Sequence, residues 1–370
     1  MNILFLDQFT TLGGGQRSLL EALSGIRDHG WSGRIALPGE GAYTDALRAS
    51  GYPVDHVCCS AYSPARKGMT DFARYVREFP CMIRSISMLA AQYRADVIYV
   101  NGPRLLPAAA VVAKARSIPL VFHSHHRILQ PVAVRLAGEA LRWSGARMLA
   151  CCQFAAAPLE GYVPRGHCHV VHNGVADPSW ALGTIGLRGI RTIGVIGRVE
   201  PEKGQMEFVA AVQILAAEFP DCRFIVAGGP LFSGPGYLEG VKRAARSLPI
   251  EFVGWQEDIG ATFSKLDLLV VPSADIDSTP RVVIEAFSGG VPVVAFPAGG
   301  IPEIVEDGQT GFLASGRSPA ALAARIRSVL LMDPVRLREV VGRARDAWKG
   351  RFTLQRFQQD VAAVIQQACQ

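Results

Sequence analysis

The chain has 370 residues, 49% of them apolar and 19% charged, with a formal net charge of +6. That length predicts two domains, and that composition excludes a disordered chain. No apolar run approaches the ~18 residues that a membrane-spanning helix needs.

Residues 2–7 read as a first strand. No basic residue precedes it and an acid stands at position 7, so the start does not read as a signal peptide. Gly13-Gly14-Gly15 then separates this strand from a helix through 19–23. A glycine loop there lets backbone approach a phosphate or a sugar. As a dinucleotide fingerprint it is broken: Ser18 stands where the third glycine belongs, and no acid closes the next strand, 34–37. Further strands are predicted at 54–58, 96–101, 119–123, 147–152 and 168–172. Residues 66–94 form a helical zone in which Arg66, Lys67, Arg74, Arg77, Arg84 and Arg94 mix with Phe72, Tyr75, Val76, Phe79, Met82, Ile83, Ile86 and Leu89. Its apolar side is expected on its own sheet, with a membrane face as the second option.

His123-Ser124-His125-His126 ends the strand at 119–123. A neutral imidazole there can orient a hydroxyl, and metal binding is the alternative, though no second ligand cluster completes a site. A linker is predicted over 177–189, and the second half restarts with strands at 192–196, 222–227, 250–253, 268–271, 291–296 and 311–313. Alternating strands and helices predict parallel sheets covered on both faces. Residues 1–180 hold 18 Lys/Arg against 12 Asp/Glu and residues 181–370 hold 20 of each, so the excess charge lies wholly in the first half. It suits an anionic surface or acceptor, or is simply a solvated face. The eight cysteines show no metal spacing; Cys58-Cys59 and Cys151-Cys152 are adjacent pairs, and reduced, buried thiols are expected throughout.

Residues 267–303 carry the densest chemistry. An apolar strand, 268–271, leads through a loop with Asp275 and Asp277 into a helix, with Thr279 as its predicted N-cap and Pro280 as its first residue. The first amides of that helix, at Arg281 and Val282, suit a phosphate, and Glu285 suits a ribose diol because an ionised acid accepts two hydrogen bonds. Upstream, Gly197-Arg198 and Lys203-Gly204 follow the strand 192–196 and offer a planar fork and a point charge. Trp255 follows the strand 250–253, either stacking on a base or sealing the core, and Glu257-Asp258 marks a helix start.

The run Arg281-Val-Val-Ile-Glu285-Ala-Phe-Ser-Gly289-Gly290-Val-Pro-Val-Val, with Gly299-Gly300-Ile-Pro-Glu303 and Asp307-Gly-Gln-Thr-Gly311-Phe, resembles glycosyltransferase family 4. The likeness is specific over residues 192–315 and looser over 1–175. It implies the GT-B fold: α/β, two facing Rossmann-like domains with parallel sheets and an interdomain cleft. The expected division is an acceptor-side domain at 1–178, a nucleotide-sugar-binding domain at 187–352, and a helix at 353–370 crossing back to the first. The family has two glutamates separated by seven residues; here Asp277 stands at the first position and Glu285 at the second.

By this resemblance the catalytic residues are His125, Arg198, Lys203 and Asp277. Substrate is expected on Gly14, Gly15, Asn101, His123, Asn173, Gly197, Gly229, Val253, Thr279, Arg281, Val282, Glu285 and Gly300, with Glu303 on a loop at the sugar. The implied reaction is retaining hexosyl transfer from a UDP- or GDP-sugar to a hydroxyl of a glycan, lipid-linked or small-molecule acceptor, in cell-surface polysaccharide or glycoconjugate biosynthesis. No cofactor and no metal are expected, because Arg198 and Lys203 meet the charge on the leaving phosphate. Nucleic acid is not an expected partner. The expected location is cytoplasmic, with weak peripheral contact at the inner face of the membrane. The alternatives are a metal-dependent GT-A-like transferase using Asp275 and Asp277, an NAD-dependent oxidoreductase using residues 13–18, and a non-catalytic sugar-nucleotide-binding protein.

Overall fold

The computed structural model describes residues 1–61, 68–178, 180, 191–273 and 276–370. Arg66, Lys67, Asp275 and most of the predicted linker lie outside them. The chain divides into two units, Met1–Asn173 with Leu354–Gln370, and Gly174–Thr353.

The first unit runs β1 (Asn2–Asp7), α1 (Gly14–Asp28), β2 (Ser32–Leu37), α2 (Ala42–Ala49), β3 (Val54–His56), α3 (Met69–Gln92), β4 (Val97–Asn101), α4 (Leu106–Arg116), β5 (Leu120–Ser124), α5 (Pro131–Ser144), β6 (Arg147–Ala150), α6 (Gln153–Ala156) and β7 (Cys168–Val170). The second unit runs β8 (Thr192–Ile196), α7 (Gln205–Leu215), β9 (Arg223–Ala227), α8 (Pro235–Ala244), β10 (Ile250–Gly254), α9 (Ile259–Phe263), β11 (Leu268–Val271), α10 (Arg281–Gly289), β12 (Val293–Ala295), α11 (Ile301–Ile304), β13 (Phe312–Leu313), α12 (Pro319–Leu330) and α13 (Pro334–Arg351). Helix α14 (Leu354–Ala368) then completes the first unit.

Each unit is Rossmann-like, with one parallel sheet between helices. The strand orders are β3-β2-β1-β4-β5-β6-β7 and β10-β9-β8-β11-β12-β13. In each, the order reverses beside the unit's first strand, at β1/β4 and at β8/β11. Ligands of open parallel sheets sit at the carboxyl ends of strands at such a point. The central strands are apolar runs buried on both faces: Ile3 to Leu6, Val97 to Val100 and Leu268 to Val271 are all at most 4% exposed. The apolar stripe of α14, Phe357, Val361, Val364 and Ile365, joins the core beneath α1, and Gln358 Nε2 donates to Glu21 O at 2.9 Å.

Four expectations are corrected. Cys58 and Cys81 form a disulfide, where reduced thiols were expected throughout. The packing of α3 beside the turn after β3 makes that pair, and a separation of 23 residues announces nothing in sequence. Of the other cysteines, Cys151, Cys152 and Cys222 are buried, Cys59 and Cys168 are half-buried and Cys369 is exposed. Gly14 and Gly15 lie in the first turn of α1, with Gly13 as its N-cap, so the glycine loop is shorter than predicted. Pro280 is the N-cap of α10 and Thr279 lies outside the helix, since Pro280 keeps an extended ψ of 111°. Finally, α3 packs most of its apolar side on its sheet, with Met82, Ile86 and Leu89 buried and Tyr75, Phe79 and Ile83 half-buried against the same core, but Phe72 and Val76 are exposed.

Candidate functional site

In the second unit, β8 ends at Ile196 and Gly197 carries the backbone out of the sheet, its N–H donating to Ala227 O at 3.0 Å. Val199 N–H donates to Gly229 O at 2.9 Å, which holds the end of β9 against the same loop. Gln205 Nε2 donates to Arg198 O at 2.8 Å from the start of α7, so the Arg198 backbone is fixed from below. The Arg198 guanidinium lies 4.7 Å from the Phe232 ring centre and 3.5 Å from Glu202. Its side chain is 26% exposed, enough to meet a ligand.

Glu200 was not foreseen. It is 2% exposed, and one carboxylate oxygen accepts from Leu231 N–H at 2.9 Å and Phe232 N–H at 2.7 Å. Burial works to raise its pKa, but the hydrogen bonds from Ser233, Phe232 and Leu231 outweigh it and the net shift is downward. An ionised Glu200 therefore staples the loop after β9, which carries Phe232, to the loop after β8. The one signal in sequence was an acid in the middle of the strand-end loop, two residues after Arg198.

Lys203 closes a single 3-10 turn, Pro201–Lys203. Gly204 follows at φ 71°, and a Cβ there would lie 1.9 Å from Pro272 O, so only glycine lets this turn press against the end of β11. The result is an ion pair between loops: Lys203 Nζ lies 2.6 Å from Asp277 Oδ2, with side chains 21% and 11% exposed. The Asp277 carbonyl in turn accepts from Gly300 N–H at 3.1 Å, which brings the loop after β12 to the same place. Thr279 is buried just before α10. In the first turn of α10, Arg281 Nε lies 3.8 Å from Glu285 Oε1, and Arg281 Nη1 donates to Gly174 O at 3.4 Å. Val282, half-buried, lies between them in sequence. Val253 lies in β10, and Trp255 beyond it is 52% exposed, so it does not seal the core.

In the first unit, Asp7, Asn101 and His123 are register partners across β1, β4 and β5, at the carboxyl edge. His123 Nδ1 and the Tyr99 hydroxyl share a 2.6 Å hydrogen bond, and burial pushes the His123 pKa down to about 3. Its ring lies 3.9 Å from that of His125. His125 Nε2 lies 2.6 Å from Asn101 Oδ1. Burial, and then His123 and His126 beside it, hold His125 well below the usual range, so it is neutral. Gly15 lies against this ring, where an added Cβ would be 3.2 Å from it. Gly14 has open space beside it, and its carbonyl lies 3.1 Å from the Ser18 hydroxyl. That hydroxyl also reaches Asn173 Oδ1 at 2.9 Å. The sequence-predicted residues thus divide between the two units: Arg198, Lys203 and Asp277 lie beside the β8/β11 switch point and Asn101 beside β1/β4, whereas Val253 lies on the edge strand β10 and Asn173 follows the edge strand β7. Among the described residues no three His, Cys, Asp or Glu side chains are grouped to hold a metal ion, and no helix is long and apolar enough to cross a membrane.

Comparison with known proteins adds to this geometry. The family model described as "Glycosyl transferase 4-like domain" matches residues 13–174, and the one described as "Glycosyl transferases group 1" matches residues 190–331. A D-inositol 3-phosphate glycosyltransferase of Streptomyces avermitilis is 36% identical over 199 residues, 49% of this chain and 42% of that protein. One from Mycobacterium tuberculosis is 37% identical over 175 residues, 44% of this chain and 35% of that protein. The chain therefore spans less than half the length of these curated relatives. Among solved structures, Anabaena Alr3699/HepE in complex with UDP superposes with a TM-score of 0.83 at 24% identity, over 99% of this chain and all of that one. The sucrose-phosphate synthase of Thermosynechococcus elongatus does so at 0.78 and 16% identity, over 99% of each. The fold is that of the GT-B glycosyltransferases.

Proposed function

The chain belongs to glycosyltransferase family 4, and on that footing we propose that it moves a hexosyl residue from a UDP- or GDP-sugar to a hydroxyl of a glycan, lipid-linked or small-molecule acceptor, in the building of cell-surface polysaccharide or glycoconjugate. The observation that carries this reading is the Lys203–Asp277 bridge at 2.6 Å, which joins the two loops flanking the β8/β11 switch point. Arg198 and Lys203 receive the diphosphate, Glu285 the ribose, and Asp277, with Gly300 beside it, the sugar. The loop after β12 borders that sugar, with Glu303 not on the loop, as expected from sequence, but in the short helix α11 that follows it. The backbone at Gly197, Gly229 and Val253 borders the nucleotide, and Thr279, Arg281 and Val282 stand at the start of α10 toward the phosphates.

The transfer proceeds with retention. The bond from the anomeric carbon to the β-phosphate oxygen breaks, and its electron pair goes to that oxygen. The acceptor oxygen bonds to the same face of the carbon, and its proton passes to the departing phosphate. Two fixed cations stabilise the charge that builds there, so no metal is called for. The first unit serves the acceptor, with Gly14, Gly15, Asn101, His123 and Asn173 around His125. Anabaena Alr3699/HepE has been described with UDP and with UDP-glucose, which supports a UDP-sugar first. A GT-A-like use of Asp275 and Asp277 finds no support in a fold with two parallel sheets.

A basic, apolar face supports peripheral contact with the cytoplasmic side of an anionic membrane. Helix α5 exposes Val132, Leu136 and Trp143 beside Arg135 and Arg142, the latter paired with Glu139 at 2.9 Å. Sedimentation with phosphatidylglycerol vesicles and not with phosphatidylcholine vesicles is the expected result.

The deciding experiment screens UDP- and GDP-hexoses for a rise in melting temperature, with and without EDTA, and then follows sugar transfer with the donor that binds. A rise that EDTA leaves in place is expected. Binding without transfer to any acceptor or to water would favour the non-catalytic reading. No rise with any donor, or a rise abolished by EDTA, would overturn the site.

A further inference from the structure

Asp7 has no part in the chemistry above, yet it is a fully buried carboxylate at the end of β1. Burying a charge is costly, and packing alone would be served by a neutral side chain. The carboxylate accepts from Asn101 Nδ2 at 2.5 Å, from Phe9 N–H at 2.9 Å and from Gln16 Nε2 at 3.2 Å.

These contacts fix a direction. An ionised carboxylate only accepts, so Asp7 turns the amide NH2 of Asn101 toward itself. The amide oxygen then faces the other way, where His125 Nε2 lies 2.6 Å from it. An amide oxygen also only accepts, so Nε2 must carry the proton. A neutral imidazole has one N–H, and Nδ1 is left as a lone pair. No described residue hydrogen-bonds that nitrogen. The ring itself is held between Gly15 and the His123 ring.

We infer that Asp7 is a positioning residue: acting through Asn101, it locks His125 as the Nε2–H tautomer and leaves Nδ1 to accept a hydrogen bond from a substrate hydroxyl. The substrate half of this statement rests on the function proposed above; the tautomer half does not. The alternative is that Asp7 only ties down the loop at Phe9 and the first turn of α1 at Gln16.

One substitution separates the two. Asp7→Asn keeps an oxygen for Phe9 and Gln16, but its NH2 now faces Asn101. The Asn101 amide turns over, presents its own NH2 to His125 Nε2, and imposes the Nδ1–H tautomer. Exchanging the two residues, Asp7→Asn with Asn101→Asp, restores the original direction, because the carboxylate at 101 accepts from both neighbours.

The test uses the full chain labelled with 15N-histidine. Long-range proton–nitrogen spectra read the tautomer of His125, assigned by its loss in His125→Gln. The expected results are Nε2–H in the wild type, Nδ1–H in Asp7→Asn, and Nε2–H again in the exchange variant. Transfer is expected to follow: kcat falls by about 100-fold in Asp7→Asn with donor KM changed by less than about threefold, and the exchange variant recovers most of it. An Nδ1–H wild type, or an Asp7→Asn protein that keeps Nε2–H, overturns the inference. A switched tautomer with unchanged kcat overturns the positioning role. The wild-type spectrum needs neither a folded variant nor a substrate, so failure to find transfer would not be mistaken for failure here.

Discussion

Lys203 Nζ lies 2.6 Å from Asp277 Oδ2, across two loops separated by more than 70 residues of chain. The carboxylate thus holds the lysine in one place before any ligand arrives, which is how a point charge on a flexible stem becomes part of a fixed site. Asp277→Asn keeps the shape and removes the charge. It is expected to lower kcat by about tenfold or more, with the fold intact by circular dichroism. Asp277→Glu, which adds one methylene and supplies the family's usual residue, is expected to keep substantial activity. Steady-state kinetics of the two variants check this pair of outcomes.

Arg198 is held by its backbone and by the Phe232 ring, and its side chain is 26% exposed. Arg198→Ala is expected to cost transfer about 100- to 1,000-fold, with little change in melting temperature. Arg198→Lys keeps the charge without the fork and should fall between. A melting temperature that drops along with activity would assign Arg198 to the fold.

Gly204 and Gly30 have nearly the same φ, 71° and 70°, but different surroundings. A Cβ at 204 would strike Pro272 O, and one at 30 would meet nothing within 4 Å. Gly30→Ala is expected to cost about 1–2 kcal/mol, from the left-handed backbone alone. Gly204→Ala should cost more than about 3 kcal/mol and weaken donor binding, because it displaces the turn that carries Lys203. Urea unfolding and donor-dependent melting shifts separate the two.

The Cys58–Cys81 bridge closes a loop of 23 residues. Loop-closure entropy gives such a bridge about 3 kcal/mol. Cys81→Ala is expected to lower stability by about that amount without reductant, and to match the wild type once dithiothreitol is present. Peptide mapping without reduction should recover residues 58 and 81 in one species.

Burial pushes the Asp7 carboxyl up to about 6, against the hydrogen bonds from Asn101, Phe9 and Gln16 that lower it. A free aspartate titrates near 3.8. The folded state therefore holds this proton more tightly than the unfolded chain does. The stabilisation is complete below the unfolded value and is lost as pH rises through about 6, to a total of about 3 kcal/mol. The groups facing Asp7 do not titrate in that window. Burial raises the Tyr43 and Tyr99 hydroxyls, and it holds His123 and His125 neutral. Unfolding free energies at pH 5 and pH 8 should differ more in the wild type than in Asp7→Asn. An equal difference in both proteins would place the titration elsewhere.

Much of this molecule was legible from residue order. The central strands are apolar, β-branched runs that mark themselves, and the described strands lie within a few residues of their expected spans. In the second unit, residue order was enough to bring Arg198, Lys203 and Asp277 to strand-end turns and Glu285 to α10, because glycine and proline signals mark each of those segments. The network around Asp7 was not legible. Its partners Gln16 and Asn101 are 9 and 94 residues away, and only the register of β1 beside β4 brings Asn101 to it. Within an apolar strand an acid at position 7 announces no partner. Cys58 and Cys81 were missed for the same reason, and Glu200 because a clamp on a neighbouring loop has no local pattern.

Helix α14 belongs to the core of the first unit, although its residues follow the whole of the second. The second unit is thus an insertion, entered and left side by side at the Val175–Thr353 bridge. During synthesis this order has a consequence. The second unit has its complete sequence while the first still lacks Phe357, Val361 and Ile365. The half of the protein that is made first is the half that is finished last, and until residues 354–370 emerge, the apolar underside of α1 is uncovered and open to chaperones.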